Sequence, residues 1–363
     1  MKVPFLDLRL SKTDRDIYKK ALDKVMRHGI FVMGPEIKKF EKKISNYCNR
    51  KYCVSVGSGT EALYLAIKAL DFNVGDEIIT TSLSWIATAN AISLNNLNPV
   101  FADIEDNLNI SSESVEKLIS KKTKAVLVVN YTGKICNFDK IKKICKKNNL
   151  ILIEDCAQSF GSSFKRHISG SNGLISTFSF NPMKPLAGLG ECGAVLTNNT
   201  SIHKKLNYLR YNGTVNREQL LEPSLNCRMD TIQASFLLER LKNYKEIFKT
   251  RNRNAKIYSN ELKNFVKTPN LALSEKHSFY TYTILCNKRD DLKKYLETKN
   301  IETKIQHPIL MPLQKPYLKF KRDIKNANKV VKQILCLPVN EKVNYNQIMY
   351  VINNIKKFYN SKT

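Results

Sequence analysis

The strongest constraint on this chain is an alternation. Short apolar, β-branched runs recur through its first half, with helical patterns between them. Residues 52–56, 77–81, 99–103, 124–130, 150–154, 176–180 and 193–197 read as strands. Residues 60–70, 86–94, 112–119 and 138–147 read as helices. Strand and helix in turn predict an α/β fold with a large, mostly parallel sheet. Ala125-Val126-Leu127-Val128-Val129 is apolar without a break, which suits a strand buried on both faces.

Past Asn226 the pattern changes. Residues 229–244 predict one long amphipathic helix, with Ile232, Phe236, Leu237 and Leu241 at helical spacing. Residues 280–285 then resemble a strand, and 290–298 and 345–359 resemble helices. The expected division is a large domain over residues 1–243 and a smaller C-terminal α+β domain over 244–363, within reach of a 363-residue chain.

Composition removes several classes. No apolar run reaches the ~18 residues of a transmembrane helix, and Met1-Lys2-Val3-Pro4-Phe5-Leu6-Asp7 lacks the apolar core of a signal peptide. The expectation is a cytoplasmic protein with no membrane partner. The nine cysteines form no Cys-x-x-Cys pair, so they read as reduced thiols without a metal site. The net charge of +28 comes from lysine spread over the whole chain, with only short clusters such as Lys142-Lys143 and Lys146-Lys147. That distribution describes solvated helix faces rather than a nucleic-acid patch.

Four places carry chemistry. Gly57-Ser58-Gly59-Thr60-Glu61 follows a strand and opens a helix, where backbone amides can approach a phosphate. Alone it is equally a plain turn. Trp85, the single tryptophan, lies just past the Ile78-Ile79-Thr80-Thr81 strand, where it can stack on a flat ring or serve as core. Asp155 ends the Leu150-Ile151-Leu152-Ile153 run, and Gln158 follows in the same turn. A carboxylate at the end of a buried strand needs a partner, such as a protonated pyridine nitrogen, a salt bridge or a helix N-terminus. Lys184 follows Phe178-Ser179-Phe180-Asn181-Pro182-Met183 and precedes Gly188-Leu189-Gly190-Glu191-Cys192-Gly193. Two prolines stiffen its loop and glycines permit close packing beside it. Together these groups read as a pyridoxal phosphate (PLP) pocket: a lysine for the Schiff base, a carboxylate for the ring nitrogen, and a hydroxyl with backbone amides for the phosphate.

The set resembles the DegT-type PLP-dependent nucleotide-sugar aminotransferases nearly end to end. Val3-Pro4-Phe5-Leu6-Asp7-Leu8, Gly34-Pro35, Gly59-Thr60-Glu61-Ala62-Leu63, Pro99-Val100-Phe101-Ala102-Asp103-Ile104, Glu154-Asp155-Cys156-Ala157-Gln158, Phe178-Ser179-Phe180, Lys184, Asn226-Cys227-Arg228-Met229 and Leu337-Pro338 carry it. The resemblance implies fold type I, the aspartate-aminotransferase fold, in a homodimer with shared active sites. It implies that Lys184 forms the Schiff base and moves the proton, that Asp155 pairs with the ring nitrogen, and that Gln158 contacts the ring oxygen. Trp85 would stack on the ring. Gly59, Thr60 and Ser179 would bind the phosphate, joined by Asn226 of the partner subunit. The implied reaction passes an amine from glutamate to a keto group of a nucleotide-linked hexose, in lipopolysaccharide or other polysaccharide assembly. The positive charge of the chain would steer such an anionic substrate.

Two further comparisons bear on the substrate. Where family members often carry His-Tyr-Pro, this chain reads Gln306-His307-Pro308. Glu191 falls seven residues after Lys184, a spacing that leans toward members aminating C3 of a dTDP- or UDP-linked sugar over those aminating C4. The competing expectations are a PLP sugar dehydratase, in which the lysine is replaced, a non-catalytic regulator of the same fold, and a basic nucleic-acid binder.

Overall fold

The expected strands assemble into one layer. In the computed structural model, which describes residues 1–272, 274–320 and 322–361, the helices α1 (Lys12–His28) and α2 (Pro35–Tyr47) precede the first strand. Then come β1 (Tyr52–Val56), α3 (Gly59–Lys68), β2 (Glu77–Thr81), α4 (Ala87–Ser93), β3 (Asn98–Ala102), α5 (Ser112–Lys117), β4 (Thr123–Val129), α6 (Phe138–Lys147) and β5 (Ile151–Asp155). A short hairpin, β6 (Ser163–Phe164) and β7 (His167–Ile168), leads to β8 (Ile175–Ser179), β9 (Gly193–Thr197) and α7 (Thr200–Leu209). A second hairpin, β10 (Thr214–Val215) and β11 (Gln219–Leu220), leads to α8 (Thr231–Lys242) and α9 (Tyr244–Leu262). The chain closes with β12 (Tyr282–Leu285), α10 (Arg289–Thr298), α11 (Lys325–Val330), β13 (Ile334–Leu337) and α12 (Tyr345–Asn360).

The main sheet has seven strands in the order β1-β9-β8-β5-β4-β2-β3. β8, β5, β4, β2 and β3 run parallel, whereas β9 is antiparallel to both its neighbours. Helices cover both faces. On one side Leu65, Ala66 and Ile92 pack against Val54, Leu127 and Ile153. On the other, Phe138, Ile141 and Val115 pack against Val126, Val128 and Ile79. Alternate residues of one strand thus enter opposite cores, which is why the 125–129 run is uniformly apolar. The layer is the large, mostly parallel sheet expected from the alternation of strands and helices.

The 229–244 segment differs from the expected single helix. Asn243 leaves helical geometry at φ −97° and ψ 1°, and its carbonyl accepts from the amides of Glu246 and Ile247, so α8 ends there and α9 begins. The break turns Tyr244 into the phenylalanine cluster, where its hydroxyl donates to the Phe160 carbonyl. α1, α2 and α7 are not among the expected elements, although α2 buries Ile37, Phe40 and Ile44 and α7 buries Ile202, Leu206 and Leu209 at helical spacing. α1 buries only Tyr18, Ala21 and Val25, yet its limits have sequence signals: Ser11 caps the Asp14 amide at 3.0 Å, and Gly29 ends it at φ 68°.

α9 runs from one core to another. Tyr244 belongs to the cluster around Phe160 and Phe180, whereas Ala255, Tyr258 and Leu262 join Tyr282, Leu335, Ile352 and Ile355. Val3 lies in that second cluster through a bridge to Ile301, so the N-terminal residues cross to the C-terminal core. Glu341 joins the bodies by pairing with Arg240 of α8 and Arg251 of α9. Burial opposes its charge, but the two guanidiniums hold its carboxyl at about 2. Residues 273, 321, 362 and 363 of the expected 244–363 domain lie outside the described residues. No helix among the described residues is long and apolar enough to cross a membrane.

Candidate active site

A cavity of about 890 Å³ opens at the carboxyl ends of the parallel strands. Open α/β sheets bind ligands at this edge, and the volume is in the range of small-molecule sites. Gly59, Thr60, Trp85, Asp155, Gln158, Ser179 and Lys184 all line it. Of the expected site residues, only Asn226 lies elsewhere. It is exposed, bridges to Tyr211, and accepts from the Arg228 guanidinium at 3.0 Å.

Asp155 is carried in by β5, whose apolar body fixes its depth. The residue is only 4% exposed. Its Oδ1 accepts from the Ala157 amide at 3.0 Å and its Oδ2 from the Thr88 hydroxyl at 3.1 Å. Burial pushes its pKa above the ordinary value despite those donors and the Lys184 charge. A carboxylate oriented so tightly, yet disfavoured as an ion, is suited to a cation arriving from the cavity. Thr88 was not visible as a site residue in the sequence. It lies on α4, 3.3 Å from the Ser84 hydroxyl, in the segment that also presents Trp85. Trp85 is 59% exposed, and its ring centre lies 5.9 Å from that of His307.

Gln158 is 3% exposed. Its Oε1 accepts from the Thr132 amide at 2.8 Å, which turns its amide NH₂ the other way as a free donor. Thr132 sits at φ 59°, unusual for a β-branched residue, so the turn is held by its surroundings. Glu154, one residue before Asp155, faces away from the cavity. It accepts from Asn130, the Gly170 and Asn172 amides and Ser176 at 2.9–3.1 Å, anchoring β5 from behind.

The N-terminus of α3 forms another wall. Ser58 caps it by accepting from the Glu61 amide at 3.1 Å. Gly59 packs so closely on β8 that a Cβ there would lie 2.5 Å from the Ser179 Cβ. Gly193 of β9 is pressed on the same turn: its Cβ would meet the Ser58 carbonyl at 2.4 Å. Helix amides and the Ser179 hydroxyl thereby converge on one corner, a cradle for a phosphate.

Lys184 follows a tight turn. The Asn181 carbonyl accepts from the Lys184 amide at 2.8 Å, and its side-chain oxygen accepts from the Met183 amide at 3.0 Å. The Lys184 ammonium lies 4.6 Å from the centre of the Tyr280 ring. Beyond the loop, the Leu189 amide donates to Gln233 of α8 at 3.1 Å, which ties the glycine-rich segment down.

The C-terminal part closes the cavity with Lys304, Gln306, His307, Ile309, Met311 and Gln314. His307 stands at φ 51°, with Nδ1 3.1 Å from the Tyr131 hydroxyl and Nε2 3.2 Å from the Gln306 amide. Burial, with Lys184 and Lys304 nearby, lowers its pKa to about 3, so the imidazole is neutral at physiological pH. The position held by tyrosine in the His-Tyr-Pro pattern is thus a neutral ring locked on both nitrogens.

These residues fit PLP. Asp155 would supply a counter-charge for the ring nitrogen, Gln158 a donor for the ring oxygen, the α3–β8 corner a phosphate seat, and Lys184 the amine. Fold and site together define a PLP-dependent aminotransferase of fold type I. A profile of the DegT/DnrJ/EryC1/StrS aminotransferase family matches residues 12–356, and the chain belongs to that family, whose members are sugar aminotransferases. It is 32% identical over 360 residues to dTDP-3-amino-3,6-dideoxy-alpha-D-galactopyranose transaminase of Aneurinibacillus thermoaerophilus, covering 98% of this chain and 99% of the relative. It is 30% identical over 340 residues to UDP-2-acetamido-2-deoxy-3-oxo-D-glucuronate aminotransferase of Pseudomonas aeruginosa, with 93% and 95% covered. The crystal structure of S. venezuelae DesV superposes with a TM-score of 0.95 at 28% identity, covering 98% of each chain.

The Thr88 contact yields a prediction. A hydrogen bond to a charged group is worth about 1.5–3 kcal/mol. Thr88→Val is therefore expected to lower PLP affinity about tenfold or more, and Thr88→Ser to retain it. Titrating the apoprotein with PLP while following Trp85 fluorescence checks both.

Proposed function

We propose that the protein moves an amino group from glutamate to a keto group of a nucleotide-linked hexose, at C3 of a dTDP- or UDP-linked sugar. The observation that carries this reading is the convergence of Asp155, Gln158, Ser179 and Lys184 on one cavity. The lean to C3, dTDP and UDP draws support from the names of the two relatives, which specify a 3-amino dTDP-sugar and a 3-oxo UDP-sugar.

Bound PLP supplies an aldehyde that captures amines and a ring that withdraws electrons from the attached carbon. The chain's own residues do the rest. Asp155 holds the proton on the ring nitrogen, clamped by Thr88 and the Ala157 amide. Gln158 would direct its NH₂ at the ring oxygen, and Trp85 would cover a ring face. Ser179, Thr60 and the amides at Gly59 fix the phosphate, so the ring cannot drift from Lys184. Lys184 Nζ takes the proton from the substrate carbon that bears the amine and delivers one in return.

The proposed setting is a cytoplasmic homodimer in which residues 1–243 hold the cofactor and residues 244–363 close over the substrate. Asn226 would serve the partner's site, a role suited to its exposure outside this chain's cavity. The exposed apolar run Ile30-Phe31-Val32-Met33 supports burial against a second copy. Two variants test this sharing, Lys184→Ala, expected to be inactive, and Asn226→Ala, expected to hold the cofactor weakly; they are mixed at a PLP concentration too low to fill the weakened site. Mixing Lys184→Ala with Asn226→Ala is expected to restore measurable turnover, because one site of each hybrid is intact; no recovery after verified subunit exchange contradicts it.

The substrate is tested directly. The pyridoxamine phosphate form is incubated with 3-keto and 4-keto sugars linked to UDP, dTDP and GDP, and products are assigned by mass and NMR. Amination of a 3-keto dTDP- or UDP-sugar is expected. Exclusive amination of 4-keto sugars would contradict the C3 assignment.

A further inference from the structure

Two cationic side chains line the main cavity among the described residues, Lys184 and Lys304. Lys184 is committed to the cofactor. Lys304 has no hydrogen-bond or ion-pair partner for its ammonium among the described residues. The two acids of the cavity do not neutralise it. Asp155 is engaged by Thr88 and the Ala157 amide, and Glu191 by the Asn181 side-chain amide. His307 beside it is a neutral ring. Lys304 is thus the one uncommitted charge described in the cavity.

Its placement is built rather than incidental. The Lys304 backbone is paired in both directions with Cys336 of β13, at 3.1 and 2.8 Å, so its Cα is fixed to the sheet while the side chain is free. Gln306, two residues on, is 5% exposed and holds His307. A smaller cavity of about 210 Å³ adjoins the first, and the two share Met183, Tyr280, Lys304 and Gln306. The residue therefore stands where both spaces meet, next to the Lys184 loop. Glu302 lines the smaller cavity with it, but its Oε2 accepts from the Phe5 amide at 3.0 Å and it forms no ion pair with Lys304 among the described residues. A cation without a direct ion-pair partner in a cleft draws oxyanions, and the overall charge of +28 reinforces the field.

We infer that Lys304 is the anion-recognition residue of the substrate site, binding a carboxylate or phosphate oxyanion of an incoming substrate. The inference rests on the sugar-transamination reading above. In that reading each substrate brings an anion: the amino donor its carboxylates, the sugar its diphosphate. Lys304 touches the substrate and takes no part in proton transfer at the reacting carbon.

The test compares Lys304→Gln and Lys304→Arg with the parent in both half-reactions, each followed spectroscopically over a range of substrate concentration. A lost charge-assisted contact changes binding by about tenfold or more. Lys304→Gln is expected to raise the half-saturating concentration of glutamate or of the nucleotide sugar by about that factor. The limiting rate should change little, and Lys304→Arg should recover most of the loss. A rise confined to glutamate assigns the carboxylate, and one confined to the sugar assigns the diphosphate. Equilibrium binding of 2-oxoglutarate to the PLP form, with which a keto acid cannot react, and of UDP to the pyridoxamine phosphate form supplies a readout independent of turnover, and it should weaken for the matching ligand. Unchanged half-saturation for both substrates overturns the inference. So does a fall in limiting rate alone, or a loss that arginine fails to rescue. If the parent reacts with glutamate but with no keto sugar, the sugar reading fails, while the glutamate arm still decides the role of Lys304 in carboxylate binding.

Discussion

Lys184→Ala is expected to lower turnover by about three to four orders of magnitude and to leave the fold intact. General acid–base groups contribute roughly 10²–10⁴-fold, and in the proposed role Lys184 also supplies the amine that attaches the cofactor. No other described lysine lining the cavity lies in the 181–191 loop, and Lys304 is fixed to β13 by its backbone, so neither loss is covered by a neighbour. The structural cost is small. The described side-chain contact of Lys184 is the Tyr280 ring at 4.6 Å, an interaction worth about 0.5–1 kcal/mol at exposed sites. The variant should therefore still bind pyridoxamine phosphate with the parent's order of affinity. Circular dichroism, thermal melting and Trp85 fluorescence establish the fold and the binding, and single-turnover assays establish the rate. A variant that keeps more than a tenth of the parent rate contradicts the role given to Lys184.

Asp155→Ala carries the second-largest effect. Removing one partner of a buried ion pair costs about 3–5 kcal/mol, because the other charge is left uncompensated. Each ~1.36 kcal/mol is a tenfold change, so cofactor affinity and rate together should fall by roughly two hundredfold to several thousandfold. The loss should divide between the two quantities, since in the proposed role the carboxylate would both hold the ring and keep its nitrogen protonated. Thr88 and the Ala157 amide lose their acceptor in this variant, which adds to the cost. Asp155→Asn keeps a hydrogen-bonding side chain without the charge. It should bind the cofactor better than alanine while remaining slow. Near-parental rates in either variant would remove Asp155 from the ring nitrogen.

The parts of the site that were legible in the sequence are those fixed by local order. Asp155 stood out because an apolar strand ends on an acid, and Gly59 because a glycine turn opens a helix. The strand ends β3, β4, β5 and β8 each fell within a residue of the expected limits for the same reason. The remaining site residues are long-range. Thr88 reaches Asp155 across 67 positions, and Tyr131 meets His307 across 176. Nothing near Thr88 in the chain marks it as a clamp. The break at Asn243 was hidden because apolar periodicity carries through it, and only the packing of Tyr244 on Phe160 shows why the helix must turn. The crossing of Val3 to the C-terminal core is likewise a tertiary event, since its neighbours in sequence form no regular element.

The central claim is that one lysine at the edge of this sheet carries the coenzyme. Borohydride reduction of the purified, PLP-loaded protein, followed by digestion and peptide mass analysis, tests it most directly. The account predicts a reduced phosphopyridoxyl group on the peptide containing Lys184 and on no other. A label on a different lysine, Lys304 included, or no label on a protein shown to bind PLP, would contradict it.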